Sequence, residues 1–310
     1  MLLQMPFIVT ASAIVSWAAL SVVSRILMLR YGLDPWLFSF VQLCAGGIAL
    51  LLMSGKEMVS IKSFQSPMTW LLGILRVLSA AIYTTVLTLV SVLEAGLLGA
   101  VSIPLIGIAI WIMSGKQPAR WEWIGHLGIL ISIAILTINL SGDIRLPVFW
   151  LMVANAISLV ALTILAERHP DNVSDVPKVR LRFTGSVLLI TAVFFLIFRL
   201  FQNGLSIGSL DWTLLISGIS VGVALRAPAM ILAFWSIRII GAHGYTTAIV
   251  FLPVVGMTFE QIAYKFELVE VSRFQSETLL LATGVIFSTF IVLFTRERAK
   301  REKIEISLPI

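Results

Sequence analysis

The sequence has one cysteine, three histidines and little charge: only 12% of its 310 residues are Asp, Glu, Lys or Arg. The lone Cys44 excludes an internal disulfide and any cysteine-built metal cluster. His126, His169 and His243 lie in different segments, so no local histidine motif points to a metal, and neither a metal nor a cofactor is expected. Scarce charge beside 59% hydrophobic residues and a mean hydropathy of +1.02 excludes a soluble globular domain, which needs polar surface to cover its core. Short segments of alternating polarity are missing, which excludes a β-barrel. No G-x-x-x-x-G-K-[ST] stretch occurs, so no phosphate loop for ATP is expected.

What the chain does have is apolar runs, each long enough for a hydrocarbon core of about 30 Å. Ten spans are expected, at about 6–28, 36–54, 69–91, 94–114, 122–140, 146–166, 183–201, 212–237, 244–266 and 275–295. The breaks between them are short and polar, with no room for a soluble domain. The fold class is therefore all-α, a polytopic membrane protein. Ala11-Ser12-Ala13 looks like a signal cleavage site. No Lys or Arg precedes it and the apolar run continues to Met28, so a first transmembrane helix is expected instead.

Lys and Arg set the orientation. With the N-terminus inside, 14 basic residues fall on the inner side and 5 on the outer, which places both termini in the cytoplasm. The net charge of +6 is then mostly a topology signal, not a nucleic-acid surface. The basic segment 297–310 reads as a solvated cytoplasmic tail. The remaining three basic residues, Arg25, Arg76 and Arg226, lie within spans.

Two stretches resemble one another. "LRVLSAAIYTTVLTLVSVLEAGLLGAVSIPLIG" and "LRAPAMILAFWSIRIIGAHGYTTAIVFLPVVG" both open on Leu-Arg (Leu75-Arg76 and Leu225-Arg226). Each reaches a proline, Pro104 or Pro253, and then a glycine, Gly107 or Gly256, three residues on. The chain thus reads as two five-helix repeats, 1–142 and 143–296. Five is odd, so the repeats are inverted, a layout associated with secondary transporters.

With these residues in view, the chain resembles the drug/metabolite transporter (DMT) superfamily, of the EamA-like ten-helix kind. The resemblance rests on Trp17 followed eight residues later by Arg25, on "GLDPW" opening the second span, on "LR" opening the third, on "LEAGLLGAVSIPL" and on "FE" at Glu267. Three positions depart from the family's habit: Gln42 where Arg is frequent, Gly115-Lys116 where Glu is frequent, and Ala18 where Gly usually follows the tryptophan. The resemblance implies transport of a small metabolite by alternating access, without naming it.

Charged and polar residues inside a span are costly and so mark candidate sites. In "GVALRAPAM", Arg226 and the helix-breaking Pro228 share the middle of the eighth span. Gly218, Gly222 and Arg226 recur every four residues and share one face, which glycines suit for close contact with protein. Thr246, Pro253, Gly256 and Glu260 form a stripe on the ninth span. Similar depth suggests that Arg226 and Glu260 meet, as a structural ion pair or as a substrate or proton site. Arg76 and Tyr83 share a face of the third span. Trp17 and Asn155 complete the substrate-binding candidates, Trp17 being raised by the resemblance. Pro104, Pro228 and Pro253 are candidate hinge or gating points.

The expected function is secondary active or exchange transport of a small polar or zwitterionic metabolite, amino-acid-like or nucleoside-like, across the inner (plasma) membrane. Its partners are that substrate, the lipid bilayer and, as a coupling ion, protons. The alternative is an integral-membrane lipid-modifying enzyme or a flippase. An enzyme calls for clustered Asp, His or Cys at one interface, and the inner loops lack such a cluster in sequence, so no enzyme activity is expected. A channel calls for rings of pore-lining charge.

Overall fold

The structure is a computed structural model that describes residues 5–55, 62–90, 92–115, 117–203, 211–268 and 276–307. It is built from helices, and no strand occurs among the described residues. In chain order they are α1 (Met5–Tyr31), α2 (Pro35–Ser54), α3 (Lys62–Gln65), α4 (Pro67–Leu89), α5 (Val92–Gly99), α6 (Ser102–Ser114) and α7 (Arg120–Asn139). There follow α8 (Gly142–Arg168), α9 (Pro170–Val173), α10 (Pro177–Asn203), α11 (Trp212–Val221), α12 (Ala227–Ala248), α13 (Leu252–Lys265) and α14 (Ser276–Ser307).

Among the described residues, eight helical stretches are long and apolar enough to cross a membrane, and the shorter apolar helix Leu280–Arg296 adds to them. The chain is a polytopic, membrane-embedded helical protein. Its outer surface agrees with that solvent. Phe7, Ile112, Phe201 and Phe294 are exposed, as lipid-facing residues should be. Tyr31, Trp121, Trp212 and Tyr264 are exposed near helix ends, where amphipathic rings favour the lipid headgroup level.

Local chemistry explains the helix starts. Pro35 occupies the first turn of α2, and Asp34 caps it by accepting from the backbone N–H groups of Trp36 and Leu37 at 2.9 and 3.0 Å. Asp211 caps α11 by accepting from the Leu214 N–H at 2.7 Å. Asp34 also accepts from Arg199 Nε at 2.8 Å, which ties α2 to α10.

Two spans that read as continuous in sequence are broken. The fourth is split between α5 and α6 at Ala100 and Val101, just before Pro104. In the ninth a 3₁₀ turn, Ile249–Phe251, precedes α13 and Pro253. The longest apolar stretch, Trp212–Lys265, is interrupted at Gly241, whose φ of 79° and ψ of 166° lie outside the helical region and suit a residue without Cβ. The basic tail, expected to be a solvated segment, continues α14 as helix to Ser307.

With lipid offering no hydrophobic drive between helices, close backbone approach decides packing. A Cβ on Gly47 would stand 3.0 Å from the Gly185 carbonyl oxygen, and one on Gly185 would stand 2.9 Å from that of Gly47. α2 and α10 thus touch through their backbones. α7 packs on α14, α4 on α8, and α1 on both α12 and α13.

Candidate functional site

The polar centre forms where α1, α2, α4 and α12 converge. Trp17, half-buried on α1, is its platform. The Arg226 guanidinium lies 5.4 Å from the centre of the Trp17 ring, and that of Arg76 lies 5.5 Å from it. Arg76 is also 5.9 Å from the Phe234 ring. Each cation gains on the order of 0.5–2 kcal/mol from such a face, far short of what burying a guanidinium costs. Among the described residues, neither arginine has a carboxylate within ion-pair distance. Their charges repel one another. Arg226 Nε donates to Gln42 Oε1 at 3.1 Å. Arg76 Nε is buried without a hydrogen-bond partner, and the buried Tyr245 hydroxyl is the group that comes beside both Arg76 and the Trp17 indole. Donors and positive charge are thus in excess, and an anion is the complement this centre lacks.

The backbone around Arg226 explains how a proline fits there. Gly222–Arg226 is a π-turn, and the Ala227 N–H donates to the Gly222 carbonyl instead of the one four residues back. Widening the helix by one residue absorbs the donor and the space that Pro228 removes. The glycine stripe faces protein, as its spacing suggests. A Cβ on Gly222 would stand 2.4 Å from the Gln42 carbonyl oxygen, and one on Gly218 would stand 2.7 Å from Val41. α2 therefore lies against this stripe and carries Gln42 to Arg226.

That packing overturns the expected pairing of Arg226 with Glu260. Glu260 instead accepts from Arg25 on α1, the two side chains being about one quarter exposed. α1 packs on both α12 and α13, so it supplies the cation to Glu260 while the Arg226 stripe points at α2. Arg25 is the residue the sequence reading left out of the site. Its place eight residues after Trp17, on the same side of α1, is the signal that could have found it.

Asn155, buried on α8, accepts through Oδ1 from Ser79 Oγ at 2.6 Å. Ser79 lies between Arg76 and Tyr83 in sequence, so this bond joins α8 to the polar face of α4. Tyr83 packs against the core cluster that contains Val86, Leu97 and Ile103, and Glu260 acts on it electrostatically. Pro253 packs into Gly96: a Cβ there would stand 2.2 Å from the proline ring. The two broken spans therefore meet at Gly96 and Pro253. Pro104 is buried at the start of α6.

The histidines are not all apart. His243, two residues after the break at Gly241, comes beside Glu122 and His126 of α7, and their ligand-capable atoms lie within 4.8 Å of one another. Separation in sequence gave no warning, because the juxtaposition depends on where the chain beyond the α12 break brings the His243 side chain relative to α7. Asp171, in α9, and Asp175, in the loop that follows it, are engaged singly, Asp171 by Ser63 at 2.6 Å and Asp175 by Arg238.

No family model and no curated protein sequence matches the chain. Among solved structures the chain is similar to one described only as "Crystal structure of protein", with a TM-score of 0.64, 16% identity, and coverage of 94% of this chain and 99% of that one. At that identity the likeness speaks for the fold alone.

Proposed function

We propose that the chain is a secondary transporter of ten spans in two inverted five-helix repeats, both termini cytoplasmic in the inner membrane. It moves a small metabolite that carries a carboxylate or phosphate, amino-acid-like or nucleoside-like, by alternating access. The observation that carries the proposal is the convergence of Arg76 and Arg226 on one tryptophan with no carboxylate between them among the described residues. These two arginines hold the same place in the two similar Leu-Arg stretches.

Packing supports the repeat reading. The contact of α1 with α12 has its counterpart in that of α8 with α4, and α11 on α2 has its counterpart in α4 on α10. α2 with α10 and α7 with α14 pair each helix with its own equivalent. Broken spans fall at corresponding places, before Pro104 and before Pro253, and discontinuous helices near a binding centre are a recurrent transporter device.

In this reading Trp17 stacks on the substrate, Arg76 and Arg226 hold its anionic group, and Gln42 and the Ser79–Asn155 pair line the centre. The Arg25–Glu260 pair acts as a gate, remade in each cycle, with Glu260 available to couple protons. Pro104, Pro228 and Pro253 mark where the spans bend. The test is thermal stability of the purified chain against pooled carboxylates and phosphates. A ligand at 100 times its Kd stabilises by about 2.7 kcal/mol, and Arg226→Gln is expected to lose that gain. Counterflow in liposomes then separates carrier from channel. Stabilisation that survives both Arg226→Gln and Arg76→Gln would overturn the proposal.

A further inference from the structure

We infer that Glu122, His126 and His243 form a binding site for a divalent metal ion of the zinc class, held where α7 meets the broken end of α12. This goes beyond the transport reading and does not depend on it.

The argument starts with a proton count. Thr247 Oγ1 donates its one hydrogen to the His243 carbonyl at 2.8 Å. The same oxygen lies 3.2 Å from His243 Nδ1, so Nδ1 is the donor in that contact and carries the ring proton. That leaves the Nε2 lone pair facing Glu122 Oε1 at 3.3 Å. His126 Nε2 faces the same oxygen from 3.8 Å. A His243 lone pair directed at a carboxylate oxygen repels it unless a cation lies between them. A proton on His243 relieves that contact alone; a metal ion would relieve it and draw His126 Nε2 to the same centre.

Burial sharpens the case. His126 and His243 are each 1% exposed and Glu122 is 7% exposed. Both ring nitrogens of His126 are buried without a hydrogen-bond partner, whereas buried polar atoms as a rule have one, and Nε2 of His243 has only its contact with Glu122. Distances fit as well. Tetrahedral zinc, with bonds of about 2.0–2.2 Å, holds neighbouring ligand atoms about 3.3 Å apart. The His243–Glu122 separation already has that value at 3.3 Å, while His126 must close in on both partners, its Nε2 standing 3.8 Å from the Glu122 oxygen and all three ligand atoms lying within 4.8 Å of one another. The ring of His243 is fixed by Thr247, an outer partner of the kind metal-binding histidines regularly have.

Two imidazoles and one carboxylate suit zinc and its neighbours and suit magnesium or calcium poorly. The site is packed shut. A Cβ on Gly107 would stand 2.9 Å from His126 Nε2, and Trp123 sits edge-on to the His126 ring. There is no room for an organic substrate, so the ion is a tie between α7 and the segment after Gly241. Arg296 of α14 adds a positive field at the cluster, which lowers the affinity below that of an unopposed site.

The test uses the full chain in detergent, its tag removed, stripped with a chelator and titrated with Co²⁺. The expected result is visible absorption of tetrahedral cobalt that saturates at one ion per chain. Zn²⁺ should displace it and Mg²⁺ should not. His243→Gln and Glu122→Gln should each weaken binding at least tenfold. Because a variant in so tight a place can lose its fold, X-ray absorption on the zinc-loaded wild type gives an independent reading. It should show imidazole nitrogens at about 2.0–2.1 Å. No saturable cobalt site, equal competition by Mg²⁺, or a zinc spectrum without imidazole would each overturn the inference and leave a proton-bridged cluster.

Discussion

Arg25 and Arg226 lie on neighbouring helices, and the protein treats them in opposite ways. Arg25 has a carboxylate, Glu260, within reach. Arg226 has an amide, a tryptophan face and a second arginine's field. A cation with a protein partner is accounted for by the fold. One without a carboxylate is a standing cost, and this difference separates the ion-paired charge from the candidate binding centre.

The largest effect should come from the unpaired side. Arg226→Gln and Arg76→Gln are each expected to reduce transport and ligand-induced stabilisation at least tenfold, without lowering the melting temperature of the ligand-free protein. Removing an uncompensated buried charge relieves a desolvation cost. If either variant melts markedly lower without ligand, the arginine is structural and the comparison fails.

Next comes the contact that aims Arg226 at α2. Gly222→Ala sets a methyl 2.4 Å from a backbone carbonyl that has no freedom to move away. It should destabilise by about 1–3 kcal/mol. Gly256→Ala, with nothing within 4 Å of the added carbon, should leave the melting temperature near that of the wild type. Equal effects from the two would mean that the glycine stripe does not hold α2 in place.

The paired side should respond in stability. Glu260→Gln leaves Arg25 alone and should cost about 1–2 kcal/mol, below the figure for fully buried pairs because both side chains are partly exposed. Arg25→Gln together with Glu260→Gln should recover part of that loss in thermal unfolding. A double variant that is merely additive would show that the two do not act as a pair.

The smallest expected effect lies outside the spans. His169 Nδ1 accepts from the Asp171 N–H at 3.2 Å, so Nε2 carries the proton and donates to Thr69 Oγ1 at 3.1 Å. Burial pushes its pKa below the usual histidine value of 6.5, with Asp171 opposing. The unfolded chain then binds a proton that the folded chain refuses. Stability should therefore decline as pH falls below about 6.5. His169→Gln should flatten that decline in melting temperatures taken from pH 8 to 5.

Much of the frame was legible from residue order. The start of α2 at Pro35 and that of α11 at Trp212 follow from Asp34-Pro35 and Asp211, because capping is a local matter. The inward glycine stripe of the eighth span followed from its spacing. Helix ends were less legible: α8 and α10 each run several residues beyond the apolar stretch that announced them, because backbone hydrogen bonding continues where hydropathy stops. The breaks at Ala100 and at Ile249–Phe251 were not legible in detail, since a proline announces a disturbance without saying where the chain absorbs it.

The sequence by itself determined that this is a helical membrane protein, which residues are costly within its spans, and that two stretches echo one another. All of that depends on composition and on spacing along one helix. Which partner each costly residue meets was decided only by the tertiary structure. Glu260 went to Arg25 because α1 packs on both α12 and α13. Arg226 went to Gln42 because two glycines bring α2 against its stripe. His243 reached His126 because the chain breaks at Gly241. Contacts between helices depend on which faces pack and where the backbone bends, and neither is encoded within any one span.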